Sequence, residues 1–128
     1  MGNAEVLRAA VTALQDGDIE ALGGMLADDI VVNVPGTNKL SGEHKGKDEF
    51  FGRLIGTIME LTGGEFRLES HDLLGSEEHA VGLYQISASR NGKPFTWRHV
   101  NVYHFENEKV ATVWQFPGDF EAWNRFWS

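Results

Sequence analysis

Trp97-Arg-His-Val-Asn-Val-Tyr-His-Phe105 is the most strongly β-patterned segment of this chain, and Val110–Phe116 is predicted as its return strand. Side chains alternate between the two faces of a strand. One face should therefore carry Trp97, His99, Asn101, Tyr103 and Phe105. An imidazole, an amide and a phenol set between aromatic rings can line a pocket with polar tips. We expect this odd-numbered face to look into the interior.

The composition is that of one globular domain, spanning 1–128, with 41% hydrophobic and 23% charged residues. The net charge of −8 disfavours a nucleic-acid partner, because phosphates would be repelled. Cysteine is absent from the sequence, which excludes disulfides and thiol catalysis. No apolar run is long enough to span a bilayer and no export signal is apparent, so we expect a cytoplasmic protein without a membrane partner.

Hydrophobic spacing divides the chain into helices first and strands later. The pattern predicts helices over 3–15 and 19–27, a short strand Ile30–Val34, a polar loop 37–47, and a third helix opened by Asp48. Four strands follow, with boundaries near 65–74, 79–90, 93–105 and 109–116, and a short aromatic helix runs from Phe120 to Trp127. Asn91-Gly92 is typical of a type I′ hairpin. Segregated helices and antiparallel strands indicate an α+β fold, with helices covering one face of a strongly bent sheet.

Three segments in this order resemble SnoaL-like proteins of the nuclear-transport-factor-2-like superfamily, which also includes ketosteroid isomerases and limonene epoxide hydrolases. They are Leu26-Ala-Asp-Asp-Ile-Val-Val-Asn-Val-Pro-Gly36, Ser41-Gly-Glu-His-Lys-Gly46, and Val113-Trp-Gln-Phe-Pro-Gly-Asp119 followed by Phe126-Trp127. The resemblance covers nearly the whole chain. It implies a cone-shaped α+β half-barrel, with helices on the concave face of a mostly antiparallel sheet. It also implies a pocket between helices and sheet, and a homodimer formed through the outer sheet face.

The catalytic residues of ketosteroid isomerases do not carry over to this chain. Their general base precedes the proline that ends the first strand, and Val34 stands there. Their first-helix tyrosine aligns with Ala10, and their protonated aspartate aligns with Asn101. The sequence therefore disfavours steroid isomerisation by that mechanism.

Two other groups of relatives match only loosely. The Arg-x-Asp pair of limonene epoxide hydrolases reads His99-x-Asn101 here, with Gln115 as the facing residue. No carboxylate is left there to activate water. SnoaL-type polyketide cyclases use an acid–base residue near the end of the last strand, where Asp119 is the nearest acid.

His99, Asn101 and Asp119 are the candidate catalytic residues. An unperturbed imidazole titrates near 6.5, so His99 could exchange protons at neutral pH. Asn101 and Tyr103 could donate hydrogen bonds to a carbonyl or enolate oxygen. Each also has a structural interpretation: His99 as an exposed or bonded strand residue, Asn101 and Tyr103 as cross-strand polar pairs, and Asp119 as the N-cap of the last helix.

The candidate substrate-binding residues are Tyr103, Trp97, Gln115, His44 and Trp114. His44 lies in a loop that either covers the pocket mouth or is simply solvated. Trp114 belongs to an aromatic group that serves as core, dimer contact or stacking wall. The five histidines lack metal-ligand spacing, so we expect no metal and no cofactor.

Three functional hypotheses remain at this stage. The first is an enzyme that isomerises, cyclises or dehydrates an apolar carbonyl compound by proton transfer. The second is a non-catalytic protein that binds a small apolar molecule or acts as a scaffold. The third and weakest is an epoxide-opening enzyme, which would need a carboxylate pair in the cavity.

Overall fold

A computed structural model describes residues 2–128 of the chain. The predicted domain bounds 1–128 include Met1, which lies outside the described residues. The helical elements are α1 (Asn3–Asp16), α2 (Ile19–Gly24), α3 (Gly46–Asp48), a π-helical stretch (Glu49–Ile55), α4 (Gly56–Thr62) and α5 (Phe120–Phe126). The strands are β1 (Leu26–Val34), β2 (Gly42–Lys45), β3 (Phe66–Gly75), β4 (His79–Arg90), β5 (Lys93–Glu106) and β6 (Lys109–Pro117).

The strands form one six-stranded sheet in the order β2-β1-β6-β5-β4-β3. All neighbouring pairs are antiparallel except β1 with β6, which are parallel. The predicted four-stranded meander is confirmed, as is the α+β cone with an unclosed sheet. Asn91 and Gly92 both have positive φ, 52° and 77°, as a type I′ hairpin requires.

The region before the meander differs from the sequence prediction in the second helix, in the start of the first strand and in the polar loop. The second helix ends at Gly24 because β1 already begins at Leu26, which pairs with Val110 of β6. The polar loop contains β2, whose backbone pairs with β1 from Val31 to Val34. Its sequence, Gly-Glu-His-Lys, lacks the apolar alternation that marks a strand.

The third helix is continuous from Gly46 to Thr62, but its middle is a π-helix. π-Helical turns are rare and occur often at functional sites. Here Phe50, Leu54 and Ile55 of the π-helical stretch line a space between helices and sheet. The core side chains leave this space open.

Candidate functional site

A cavity of about 690 Å³ lies between the helices and the concave face of the sheet. Its volume is in the ordinary range of small-molecule sites, roughly 300–1,000 Å³. The helices contribute mainly apolar side chains. Among them are Leu7, Val11, Leu14, Phe50, Leu54, Ile58, Trp123 and Trp127. On the sheet side of the cavity, the polar side chains come mainly from β5.

The inward face of β5 is the odd-numbered one, as the sequence predicts. Trp97, His99, Asn101 and Tyr103 all line the cavity and are each at most 9% exposed. They are linked by hydrogen bonds along the strand. Trp97 Nε1 lies 3.0 Å from His99 Nδ1, His99 Nε2 lies 2.9 Å from Asn101 Oδ1, and Asn101 Nδ2 lies 3.1 Å from the Tyr103 hydroxyl.

The direction of this polar chain follows from its first member. An indole nitrogen can only donate, so Nδ1 of His99 must accept and carries no proton. The neutral ring then holds its proton on Nε2 and donates it to Asn101 Oδ1. The amide nitrogen of Asn101 faces Tyr103, whose hydroxyl oxygen accepts from it.

Tyr84 of β4 completes the chain. Its hydroxyl lies 2.6 Å from that of Tyr103. Tyr84 reaches it by lying across Gly82, where an added Cβ would overlap the Tyr84 ring and hydroxyl. Whichever phenol donates in this bond, only one of the two phenol protons is used. Neither hydroxyl bonds to any other acceptor within residues 2–128, so one donor is left for the cavity.

Burial keeps these groups in their neutral forms. It lowers the pKa of His99 from 6.5 to about 4, and the hydrogen bond to Asn101 opposes that change only in part. Burial likewise raises the pKa of Tyr84 and of Tyr103 above the ordinary phenol value. The sequence predicts a His99 that titrates near neutral pH, and this is wrong, because the ring is desolvated. His99 is a fixed, neutral link with both nitrogens occupied.

We expect the lowered pKa of His99 to make the protein less stable in mild acid. Between pH 6.5 and 4 the unfolded chain binds a proton at this residue that the folded chain refuses, so the free energy of unfolding falls as pH falls. The full difference is about 3 kcal/mol, and above pH 6.5 this residue adds no slope. Urea unfolding at a series of pH values measures the slope. His99→Gln should make the free energy of unfolding depend less on pH in this range. His71→Gln, at an exposed position, is the control and should leave the pH dependence unchanged. Equal slopes in all three proteins would contradict the lowered pKa of His99.

The remaining predicted site residues lie in different places. Gln115 lines the cavity and pairs with Asn101 across β5 and β6. His44 is buried on β2, where its Nε2 donates to the Leu40 carbonyl at 2.7 Å. Trp114 is 37% exposed on the outer face of β6, and Asp119 is exposed at the N-cap position of α5, where its side chain makes no capping hydrogen bond. His44, Trp114 and Asp119 are not among the residues that line the cavity.

Tyr84 and Trp127 are the functional candidates that sequence reasoning did not single out. Tyr84 alternates with Ala80, Gly82 and Ile86 on the buried face of β4. A glycine two residues before a tyrosine on a buried strand face was the available signal, since it leaves room for the ring to lie along the strand. Trp127 belongs to the same aromatic group as Trp114, for which the sequence predicts a role as core, dimer contact or stacking wall.

Two further observations concern the whole of residues 2–128. No three His, Cys, Asp or Glu side chains in this range form a group that could hold a metal ion. None of the helices in this range combines the length and apolar character needed to cross a bilayer.

The fold and this polar-tipped cone define a protein of the SnoaL-like class within the nuclear-transport-factor-2-like superfamily. The model of the SnoaL-like domain family matches residues 7–113, so the chain belongs to that family. An uncharacterized protein of Mycobacterium tuberculosis is 25% identical over 125 residues, which cover 97% of this chain and 95% of that protein.

Solved structures agree with this assignment. Bal32a, from a soil-derived mobile gene cassette, superposes with a TM-score of 0.92 at 28% identity, over 98% of this chain and 96% of its own. A nuclear-transport-factor-2-like protein of Burkholderia pseudomallei superposes with a TM-score of 0.87 at 25% identity, over 100% of this chain and 99% of that chain.

Proposed function

We propose that the cone binds a small, mostly apolar molecule through a carbonyl oxygen and polarises that oxygen for proton-transfer chemistry. Isomerisation, cyclisation and dehydration belong to this class of reaction. The observation that carries the proposal is the unused phenol proton of the Tyr84–Tyr103 pair, buried at the wall of an otherwise largely apolar cavity.

The chemistry follows from the position and state of the pair. A donor held in a dry site stabilises negative charge that develops on a substrate oxygen, and it does so without reorganising. The raised pKa values of both phenols keep them protonated, so they act as donors and not as bases. A carbonyl held there loses electron density, and the C–H bond beside it becomes more acidic.

The two groups that could act as the base of such a reaction both have other partners. Nδ1 of His99 already accepts the Trp97 N–H. Glu69 is the carboxylate among the cavity-lining residues, and it is exposed and paired with Arg67 at 2.9 Å. This arrangement gives no support to epoxide opening, which needs a carboxylate pair beside the substrate. It favours a second candidate function, which is binding of the same kind of molecule without turnover.

Two further solved structures share the fold at lower sequence identity. TerC, which was co-crystallised with polyporic acid, superposes with a TM-score of 0.84 at 18% identity, over 97% of this chain and 96% of its own. A Pseudomonas putida protein named as a candidate polyketide cyclase superposes with a TM-score of 0.73 at 16% identity, over 100% of this chain and 99% of that chain.

Removal of both phenol hydroxyls tests the binding part of the proposal, because the loss of either one alone frees the proton of the other. Calorimetry should show that 4-acetylbiphenyl binds more tightly than biphenyl, which has no oxygen. The double variant Tyr84→Phe/Tyr103→Phe, which leaves no phenol proton, should weaken 4-acetylbiphenyl by roughly 3- to 10-fold, the usual contribution of one hydrogen bond, and leave biphenyl unchanged. Ser87→Ala is the control, since it removes a hydroxyl from the outer face of the same strand. Equal losses for both ligands, or none, would sink the proposal.

Hydrogen exchange at the acetyl methyl group of the same compound separates the two candidate functions. In D₂O, enolisation replaces the methyl protons with deuterium, which proton NMR follows directly. Exchange accelerated by the protein and slowed in Tyr84→Phe/Tyr103→Phe supports proton-transfer catalysis. Binding without accelerated exchange supports the non-catalytic candidate.

The outer face of the sheet supports the expected homodimer. Six apolar side chains form two rows across three strands, Val81–Val102–Trp114 and Leu83–Val100–Phe116. Trp114 and Phe116 are 37% and 56% exposed. We propose that a second copy of the chain covers this patch, because contiguous exposed apolar surfaces commonly mark interfaces.

We therefore expect Trp114→Glu to convert a dimer into a monomer, because it would bury a charge in the centre of the interface. Sedimentation velocity measures the molecular mass directly. Ile19→Glu, at a residue 50% exposed on α2, should leave the dimer intact. A wild-type protein that sediments as a monomer at high concentration would contradict the proposal.

A further inference from the structure

Two histidines form a cross-strand pair on the outer face of the sheet, on the side opposite to the cavity. His79 of β4 lies directly opposite His104 of β5 in the antiparallel register. Even-numbered residues of β5 point away from the cavity, so both rings stand on the outer face. The pair forms the row next to Val81–Val102–Trp114 of the apolar patch.

The two rings are available to bind a ligand. His79 is exposed and His104 is half-buried. Among residues 2–128 neither ring has a hydrogen-bond partner, unlike His44 and His99, whose rings are bonded. A neutral imidazole keeps one nitrogen with a free lone pair, and that nitrogen is the commonest metal ligand in proteins.

The separation of the rings matches that of two imidazoles bound to one metal ion. Zinc sites are tetrahedral, with Zn–N distances of about 2.0–2.1 Å. Because each ring extends away from the ion behind its bound nitrogen, two such rings have centroids roughly 5 Å apart. The centroids of His79 and His104 are 5.0 Å apart. Simple contact between two aromatic rings spans roughly 4.5–7 Å and also includes this value, so a binding measurement must separate the two explanations.

We propose that His79 and His104 chelate a divalent transition-metal ion such as Zn²⁺, each through one ring nitrogen. Imidazole suits Zn²⁺, Cu²⁺ and Ni²⁺, whereas Mg²⁺ and Ca²⁺ prefer oxygen ligands. No third His, Cys, Asp or Glu of residues 2–128 joins the pair, so water fills the remaining coordination positions. The net charge of −8 attracts cations to the protein.

This site is separate from the cavity and does not depend on the proposed function. Spacing along the chain predicts no metal site, because the two histidines are far apart in sequence. The pairing of β4 with β5 brings them together.

Calorimetry on the full chain, with Zn²⁺ as titrant at about pH 7.5, where a free imidazole is mostly neutral, tests the site. Loss of a group that only orients a metal ligand costs roughly 10- to 100-fold in affinity. Loss of one of two direct ligands should cost at least as much, so we expect His79→Gln and His104→Gln each to weaken Zn²⁺ binding by roughly 10-fold or more. His71→Gln, at an exposed position on β3, is the control and should leave the affinity unchanged. Mg²⁺ should not compete with Zn²⁺.

Histidine NMR locates the ion without any substitution. Zn²⁺ should shift the imidazole signals of His79 and His104 together and leave those of His71 in place. A wild type that does not bind Zn²⁺, unchanged affinity in either pair variant, or an equal loss in His71→Gln would overturn the proposal. Each of these results would leave the pair as a contact between two rings.

Discussion

Gly82→Ala is expected to destabilise the protein strongly and to weaken the binding of carbonyl ligands in the cone. The new Cβ would overlap the Tyr84 hydroxyl and ring, so the ring must leave its position along β4 and its bond to Tyr103. Overpacking and the broken hydrogen bond together should lower the free energy of unfolding by about 3 kcal/mol. Urea unfolding measures the first effect, and calorimetry with 4-acetylbiphenyl measures the second.

Gly24→Ala is the control, because nothing lies within 4 Å of a Cβ added there. It should leave both quantities near their wild-type values. The double variant Gly82→Ala/Tyr84→Phe should not recover stability, since the ring itself collides with the new methyl group. A Gly82→Ala protein of wild-type stability that still prefers the ketone over biphenyl would show that Tyr84 does not lie where the structure places it.

Asn101→Leu is expected to cut the polar chain at its centre. Leucine has the same branched heavy-atom framework but cannot accept from His99 Nε2 or donate to Tyr103, so it leaves a buried imidazole N–H without a partner. We expect the free energy of unfolding to fall by about 2 kcal/mol. Ketone affinity should fall as well, because Tyr103 loses the donor that orients its hydroxyl. Chemical unfolding and calorimetry measure the two effects.

Two comparison variants make this prediction specific. Asn33→Leu removes a single bond from a half-buried amide to the Val113 carbonyl and should cost less than Asn101→Leu. Asn101→Asp keeps an acceptor for His99, and its negative charge should raise the pKa of His99 above about 4. Histidine NMR titration follows that change. An Asn101→Leu variant as stable as Asn33→Leu would mean that the polar chain contributes nothing to the stability of the protein.

The parts of the fold that could be predicted are those in which the residue types follow a pattern of burial or form a recognisable turn. Alternation along β5 predicts which side chains face inward, and Asn91-Gly92 predicts the hairpin before it. β2 was missed because backbone pairing with β1 holds it, while its four side chains are mostly polar. The π-helical stretch was missed because apolar spacing does not separate it from an α-helix.

The candidate site was predicted in part for similar reasons. The inward position of His99 and Asn101 follows from strand parity, but the neutral state of His99 depends on burial and on the indole that occupies Nδ1. The role of Tyr84 depends on the register of β4 against β5 and on the space that Gly82 leaves. The Gly82–Tyr84 spacing is visible in the sequence, but the register that brings Tyr84 to Tyr103 is not.

The carbonyl ¹³C chemical shift of bound 4-acetylbiphenyl, labelled at that carbon, tests the central role of the phenol pair most directly. A hydrogen bond to the oxygen withdraws electron density from the carbon, so the shift reports polarisation of the substrate group itself. We predict a shift well downfield of that in an apolar solvent, which returns toward the apolar-solvent value in the double variant Tyr84→Phe/Tyr103→Phe, where no phenol proton remains. A bound shift equal to that in the apolar solvent, or one that the double variant leaves unchanged, would contradict the proposed function.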